Sequence, residues 1–199
     1  MFKITPTGKL TTLYRFCSQP LCADGEGPIS GLVPGADGNF YGTADWGGIG
    51  GNGTVFRISP EGALTTLHTF YNTDGSFPSA RLVEDTNETF YGTTINGGDL
   101  SACNGYGCGT IFKITSRGKL TTLHRFCAQS GCPDGEWPYD GLALGPDGNL
   151  YGTTWRGGAH GEGTVYKITP LGTLRTIYSF CSQSDCSDGS NPLWLTLGG

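Results

Sequence analysis

The tetrapeptide Phe2-Lys-Ile-Thr recurs three times along this 199-residue chain, as Phe56-Arg-Ile-Ser, Phe112-Lys-Ile-Thr and Tyr166-Lys-Ile-Thr. The copies are spaced by 54, 56 and 54 residues, and a Leu-x-Thr-Leu/Ile segment follows each one, beginning at Leu10, Leu64, Leu120 and Leu174. Self-similarity at a nearly fixed period is typical of repeat architectures, in which each copy forms one unit of the fold. The repeat therefore decides the fold of this chain.

Within one repeat, apolar and polar residues alternate with the period of two that predicts β-strands. Pro-x-Gly segments such as Pro6 to Gly8 and Asp-Gly-Asn segments such as Asp37 to Asn39 separate these strands and are typical of tight turns. Each repeat is thus predicted to hold four short strands in two hairpins, which is the content of a propeller blade. We predict an all-β, β-propeller-like fold with blades of about 54 residues. The alternative is a β-solenoid, although solenoid coils are usually shorter.

The chain starts out of phase with the predicted blades. If the strands of a blade are labelled a to d from the centre outward, three blades are complete, at 28–70, 78–126 and 138–180. Residues 2–16 supply only strands c and d of another blade, and residues 192–197 supply only a piece similar to strand a. We treat 1–199 as a single repeat domain.

The most specific string of the repeat resembles a known family. It reads Gly31-Leu-Val, then Asp37 to Thr43, Gly47-Gly48 and Gly53-Thr-Val-Phe-Arg-Ile. In these motifs the chain is similar to the bacterial GloVer ("choice-of-anchor") tandem-repeat proteins and, more distantly, to NHL-type propellers. The resemblance implies a secreted or surface-anchored repeat protein and carries over no catalytic residue.

The eight cysteines form four pairs with C-x4-C spacing, namely Cys17/Cys22, Cys103/Cys108, Cys127/Cys132 and Cys181/Cys186. An even count in constant local pairs favours small disulfide loops and an oxidising compartment. Free structural thiols and a metal site are the alternatives, but zinc pairs are usually spaced more closely. We therefore expect an extracellular or cell-surface location. Met1 is followed directly by Phe-Lys-Ile-Thr, so we expect a signal peptide to have been removed or the chain to be part of a longer product.

Composition excludes several classes of protein. The 35 glycines argue against a helical bundle, because glycine is costly in helix interiors. A net charge of −5 argues against a nucleic-acid partner, and no apolar run approaches the roughly 18 residues of a membrane span. We expect no cofactor and no metal, and we interpret the Asp-Gly dipeptides that begin at Asp24, Asp74, Asp134 and Asp188 as turns rather than calcium ligands.

The b–c and d–a loops lie on the same face of a propeller, and here they vary in length and are rich in glycine. Variable loops on a rigid scaffold often carry function. As an alternative to a structural role, this loop face is a candidate glycan or peptide site, since aromatic rings there can stack beside polar groups. Its candidate residues are Trp46, Asn96, Trp137, Trp155, Arg156 and His160. The alternative is that these aromatic side chains only pack between blades.

The sequence holds no HExxH, G-x-S-x-G or P-loop motif, so we do not expect an enzyme. A hydrolase or lactonase-like propeller is the least favoured alternative. Incomplete blades leave strand edges that invite another chain to pair. We therefore expect a structural or adhesive module that associates with copies of itself, in preference to a closed four-bladed monomer or a fragment of a longer chain.

Overall fold

The computed structural model describes residues 1–193, 195–196 and 198. Within these residues the chain forms three four-stranded antiparallel sheets and one two-stranded sheet. The regular helices of this part of the chain are single 3-10 turns at Pro20–Cys22, Cys103–Gly105 and Ser184–Cys186. The predicted all-β class is therefore confirmed.

The strands of the described residues follow in this order along the chain: β1 (Phe2–Ile4), β2 (Leu10–Thr12), β3 (Val33–Pro34), β4 (Phe40–Ala44), β5 (Thr54–Ile58), β6 (Leu64–Thr69), β7 (Val83–Glu84), β8 (Thr89–Thr94), β9 (Thr110–Thr115), β10 (Leu120–Arg125), β11 (Ala143–Leu144), β12 (Leu150–Thr154), β13 (Thr164–Ile168) and β14 (Leu174–Ser179). Each four-stranded sheet pairs its strands in sequence order, β3 to β6, β7 to β10 and β11 to β14. We call these sheets blades 1, 2 and 3, and the β1–β2 sheet blade 0.

The innermost strand of each blade has only two residues. We expected four, for example 141–144, but only Ala143 and Leu144 pair with the next strand. The segment before it packs closely against blade 2, since a Cβ on Gly141 would lie 2.9 Å from the Arg81 carbonyl oxygen. Inner segments of all three blades, at 33–34, 81–84 and 140–142, line a central cavity of about 490 Å³ together with Leu195.

Tight turns join the strands as the sequence predicts. In the a–b turn of blade 1, Gly38 has a φ of +80°, a conformation that favours glycine. The Asp37 carboxylate accepts hydrogen bonds from the Asn39 backbone N–H and from the Tyr41 hydroxyl, at 3.0 and 2.8 Å. Burial and the Asp37 hydrogen bond raise the pKa of Tyr41 to about 12, so this hydroxyl stays protonated and donates.

The core lies between consecutive blades. Strand c of each blade presents an aromatic residue and an isoleucine to strand d of the preceding blade, and in the three complete blades these side chains are buried. They are Phe56 and Ile58, Phe112 and Ile114, and Tyr166 and Ile168. Each blade therefore depends on the blade before it for its apolar packing.

The two ends of the chain differ from the complete blades. Among the described residues, blade 0 consists of β1 and β2. The predicted inner strand at 192–197 includes Trp194 and Leu197, which lie outside the described residues, so that prediction stays a prediction. Within the described residues, no helix is long and apolar enough to cross a membrane.

Candidate functional site

Disulfide-closed loops frame the loop face. All four predicted pairs are bonded, as Cys17–Cys22, Cys103–Cys108, Cys127–Cys132 and Cys181–Cys186. Three close d–a loops, and the Cys103–Cys108 bond closes the b–c loop of blade 2. This confirms the prediction of disulfides within loops.

An aspartate holds each d–a loop, and the first of these, Asp24, is fully buried. The Asp24 carboxylate accepts hydrogen bonds from the Tyr14 hydroxyl at 2.8 Å and from the Ser18 backbone N–H at 3.0 Å. Burial alone would raise the pKa of Asp24, but the hydrogen bonds from Ser18, Tyr14 and Gln19 outweigh it and lower that pKa. The ionised aspartate therefore ties strand d to the loop that follows it.

The same contact recurs in every repeat. The equivalent pairs are His68 with Asp74 at 3.0 Å, His124 with Asp134 at 2.7 Å, and Tyr178 with Asp188. We had interpreted these aspartates as turn residues, and the pairing was missed. The signal was present in the sequence, because each Asp-Gly follows a strand-d position that holds either tyrosine or histidine.

Three of the candidate ligand residues meet on blade 3. The Trp137 and Trp155 ring centroids are 5.9 Å apart, and the Arg156 guanidinium carbon lies 4.8 Å from the Trp155 centroid. Tyr139 packs edge-on against Trp155 with a centroid distance of 5.7 Å. We call these four residues, with Glu136, the blade 3 cluster.

The blade 3 cluster combines aromatic, cationic and acidic groups. Glu136 pairs with Arg156 through an isolated backbone bridge, and burial raises the pKa of Glu136 while the Arg156 charge acts in the opposite direction. The Trp137 indole N–H is buried and has no hydrogen-bond partner within the described chain. Flat rings beside a guanidinium can stack on an apolar ring face, and the guanidinium can hydrogen-bond to polar substituents of that ring.

The other candidates lie apart from this cluster. Trp46, Asn96 and Arg156 make the same backbone bridge in three successive blades, so one or two blades separate them. Trp46 is 53% exposed and packs edge-on against Phe77 at 4.5 Å. The Asn96 amide donates to the Gly107 carbonyl at 3.3 Å, and His160 is exposed in the b–c loop of blade 3.

A cavity of about 640 Å³ lies on the opposite face, between blades 2 and 3. The a–b turns of both blades and the c–d turn of blade 3 line it, together with Lys113 and Lys119. The Lys113 ammonium donates to the Pro170 carbonyl oxygen at 3.1 Å, so it already joins the two blades. None of the candidate residues of the loop face lines this cavity.

Among the described residues, a cluster of three cysteine sulfurs has the spacing of a possible metal site. Those of Cys103, Cys108 and Cys127 lie within 4.8 Å of one another. Metal ligation requires thiolates, and all three sulfurs are in disulfides. In the oxidised protein these residues therefore lack the form that binds a metal.

Blade 0 exposes a second candidate surface. Phe2 and Ile4 on β1 are 63% and 61% exposed, whereas Phe56 and Ile58 at the same positions of blade 1 are 1% and 0% exposed. Within the described residues β1 pairs with β2 alone, so its other edge has no partner strand among them. This surface has the composition of a blade interface, and no described blade covers it.

The chain was compared with known proteins. A sequence model of the Gloeobacter/Verrucomicrobia repeat matches residues 1–198. No curated protein matches the chain. Among solved structures, the virginiamycin B lyase of Staphylococcus aureus is similar, with 19% identity over 91% of this chain and 49% of that chain, and a TM-score of 0.60.

A "putative 6-phosphogluconolactonase" of Bacteroides fragilis is similar over 85% of this chain and 44% of its own, with 20% identity and a TM-score of 0.47. This chain therefore spans about half the length of the solved structures that it matches. At 19% identity the likeness to the lyase shows a shared propeller-type fold alone.

Proposed function

The chain belongs to the Gloeobacter/Verrucomicrobia repeat family, and from this premise we propose that it is a structural module that extends its propeller by associating with copies of itself. One observation carries the proposal. Phe2 and Ile4 occupy positions that are fully buried in the three complete blades, yet more than half of each side chain is exposed.

Covering this surface is energetically favourable. Fully burying a phenylalanine or isoleucine side chain contributes about 1.5–3 kcal/mol, so covering the exposed parts of Phe2 and Ile4 contributes roughly 2–4 kcal/mol. The loss of translational and rotational freedom on association costs about 4–15 kcal/mol. The two side chains alone therefore do not hold two copies together, and the partner surface has to contribute more.

The proposal is tested by the mass of the protein in solution. Light scattering coupled to size-exclusion chromatography should show a species heavier than the 21.0 kDa monomer at high concentration. Phe2→Arg should shift the mass toward the monomer, whereas Ile49→Arg, at an apolar loop residue of blade 1 that is 75% exposed, should leave it unchanged. A folded wild-type monomer at every concentration would contradict the proposal.

We propose that the module works outside the cell or at its surface. The four disulfides support this, because disulfides persist in oxidising compartments. We propose no enzymatic role, because the sequence contains no recognisable catalytic motif. The lyase and lactonase activities named above belong to those proteins.

Ligand binding by the blade 3 cluster is a second candidate function. The specific observation in its favour is that Trp137, Trp155 and Arg156 lie together, with the guanidinium over the Trp155 ring. A glycan or a peptide with an aromatic or acidic side chain suits such a surface. Glycan and peptide arrays should show saturable binding that Trp155→Ala weakens and Trp46→Ala does not. Equal loss in both variants, or no binding by the wild type, would contradict this function.

A further inference from the structure

Consecutive blades are joined by an aromatic contact that recurs. The phenylalanine after strand d of one blade meets the strand-c aromatic residue of the next blade. The ring centroids are 5.0 Å apart for Phe16 and Phe56, 5.2 Å for Phe70 and Phe112, and 5.3 Å for Phe126 and Tyr166. The chain therefore has one fixed way of stacking a blade on its predecessor.

A second contact joins the c–d turn to the preceding blade. A Cβ on the turn glycine would lie only 2.5–2.8 Å from a strand-d carbonyl oxygen of the blade before it. The pairs are Gly62 with Leu13, Gly118 with Leu67, and Gly172 with Leu123. Only glycine allows the two backbones to come so close.

A third contact is polar and runs in the same direction. The strand-c lysine of one blade donates to a proline carbonyl in the c–d turn of the next blade. Lys3 reaches Pro60 at 3.3 Å, and Lys113 reaches Pro170 at 3.1 Å.

The two ends of the chain each carry one half of these contacts. At the blade 0 end, Phe2 is exposed and a Cβ on Gly8 would meet nothing within 4 Å. At the blade 3 end, Ile177 is 51% exposed, although Leu67 and Leu123 at the same position are partly buried. Phe180 is likewise partly exposed, although Phe70 and Phe126 are fully buried.

The polar contact is also left unmade at the blade 3 end. No described blade follows Lys167, which pairs instead with Asp147 of its own blade at 2.9 Å. Pro6, which occupies the position of Pro60 and Pro170, lies in the c–d turn of blade 0.

We infer that the strand-d face of blade 3 in one copy stacks on blade 0 of the next copy, in the register that joins the blades within the chain. This inference rests on the proposed self-association. It pairs Phe180 with Phe2, Ile177 with Gly8 and Lys167 with the Pro6 carbonyl. The contact is heterologous, so the copies join head to tail and either close a ring or extend into a filament.

The comparison with the lyase favours a ring of two copies. The aligned part of this chain covers 49% of that propeller, so two copies have about the length of that fold. Within the part of the chain that the structure describes, blade 0 supplies strands c and d only. Each contact must therefore be held by the outer strands.

A mixing experiment tests the orientation. Phe2→Arg removes the blade 0 half of the contact, and Ile177→Arg removes the blade 3 half. A charge placed against the apolar face of the partner should weaken association of either variant with itself by more than about tenfold. In an equimolar mixture, the intact blade 3 of one variant meets the intact blade 0 of the other.

Head-to-tail pairing therefore predicts that the mixture forms a dimer at a concentration where each variant alone is monomeric. Circular dichroism spectra like those of wild type and Ile49→Arg would show that both variants are folded. If Ile177→Arg associates like wild type while Phe2→Arg does not, two blade 0 ends pair with each other and the inferred register is wrong. If wild type is itself monomeric, the proposed function is wrong.

Discussion

Replacing Gly118 with alanine should destabilise the protein more than the same change at Gly8, although the two residues have the same conformation. Both lie in c–d turns, with φ values of +86° and +85°. The left-handed backbone costs an alanine about 1–2 kcal/mol at either position. A Cβ at 118 would also lie 2.7 Å from the Leu67 carbonyl oxygen of the preceding blade, whereas a Cβ at 8 meets nothing within 4 Å.

The difference between the two variants measures the contact between blades. A carbon and a carbonyl oxygen normally approach to about 3.3 Å, so the neighbouring strand must move by roughly 0.6 Å. Overpacking of this kind costs about 1–3 kcal/mol. We expect the free energy of unfolding to fall by about 2–5 kcal/mol for Gly118→Ala and by about 1–2 kcal/mol for Gly8→Ala in the monomer.

Urea denaturation with the disulfides intact, followed by circular dichroism at low protein concentration, measures both values. Gly38→Ala is a matched control, since Gly38 has a φ of +80° and no atom within 4 Å of its Cβ position. Equal losses for Gly118→Ala and Gly8→Ala would refute the argument that the glycine is required by the approach of two blades. At high concentration, Gly8→Ala should in addition weaken association, because the Gly8 turn then lies against a second copy.

Three further predictions follow from the core and the loops. Phe70→Ala should lower the free energy of unfolding by about 3–5 kcal/mol, because Phe70 is fully buried between blades 1 and 2; a loss below about 1 kcal/mol in a urea titration would contradict that packing. Changing Cys127 and Cys132 together to serine should lower the free energy of unfolding by about 2 kcal/mol, because the disulfide then no longer restricts a loop of this size in the unfolded chain. Thermal unfolding of the wild type and of the double variant would show the difference. Because the folded-state pKa of Asp24 is lowered, its contribution to stability is complete above its ordinary pKa and is lost as the pH falls below it. Asp24→Asn should cost about 1.5–3 kcal/mol at neutral pH and reduce the loss of stability in acid, and an unchanged pH dependence would show that the carboxylate does not hold the loop.

The sequence was sufficient for the architecture because every structural device is repeated. Tight turns such as Asp37 to Asn39 and the alternating strands recur in each unit, so one repeat supports the interpretation of the next. The pairing of Cys127 with Cys132 followed in the same way from a constant spacing. Turns, strand alternation and cysteine spacing each depend on residues that are close together in the sequence, so a single sequence is enough to predict them.

Side-chain contacts were harder to predict. Asp134 and His124 are ten residues apart, and the Asp-Gly pattern predicts only a turn at Asp134, yet the two side chains form a hydrogen bond. The candidate loop residues were treated as one surface, but Trp46 and Arg156 occupy the same position in different blades. Which side chains meet depends on the stacking of blades, and a single sequence does not give that stacking.

Amide hydrogen exchange at both ends of the chain tests the pairing of blade 3 with blade 0 most directly. In the free chain, the β1 amides at Phe2–Ile4 and the β14 amides around Ile177 lie at exposed ends, and β1 has one neighbouring strand among the described residues. We predict that exchange slows at both ends together as the protein concentration rises, while the inner blades do not change. Protection at one end only, or exchange that does not depend on concentration at either end, would contradict head-to-tail assembly.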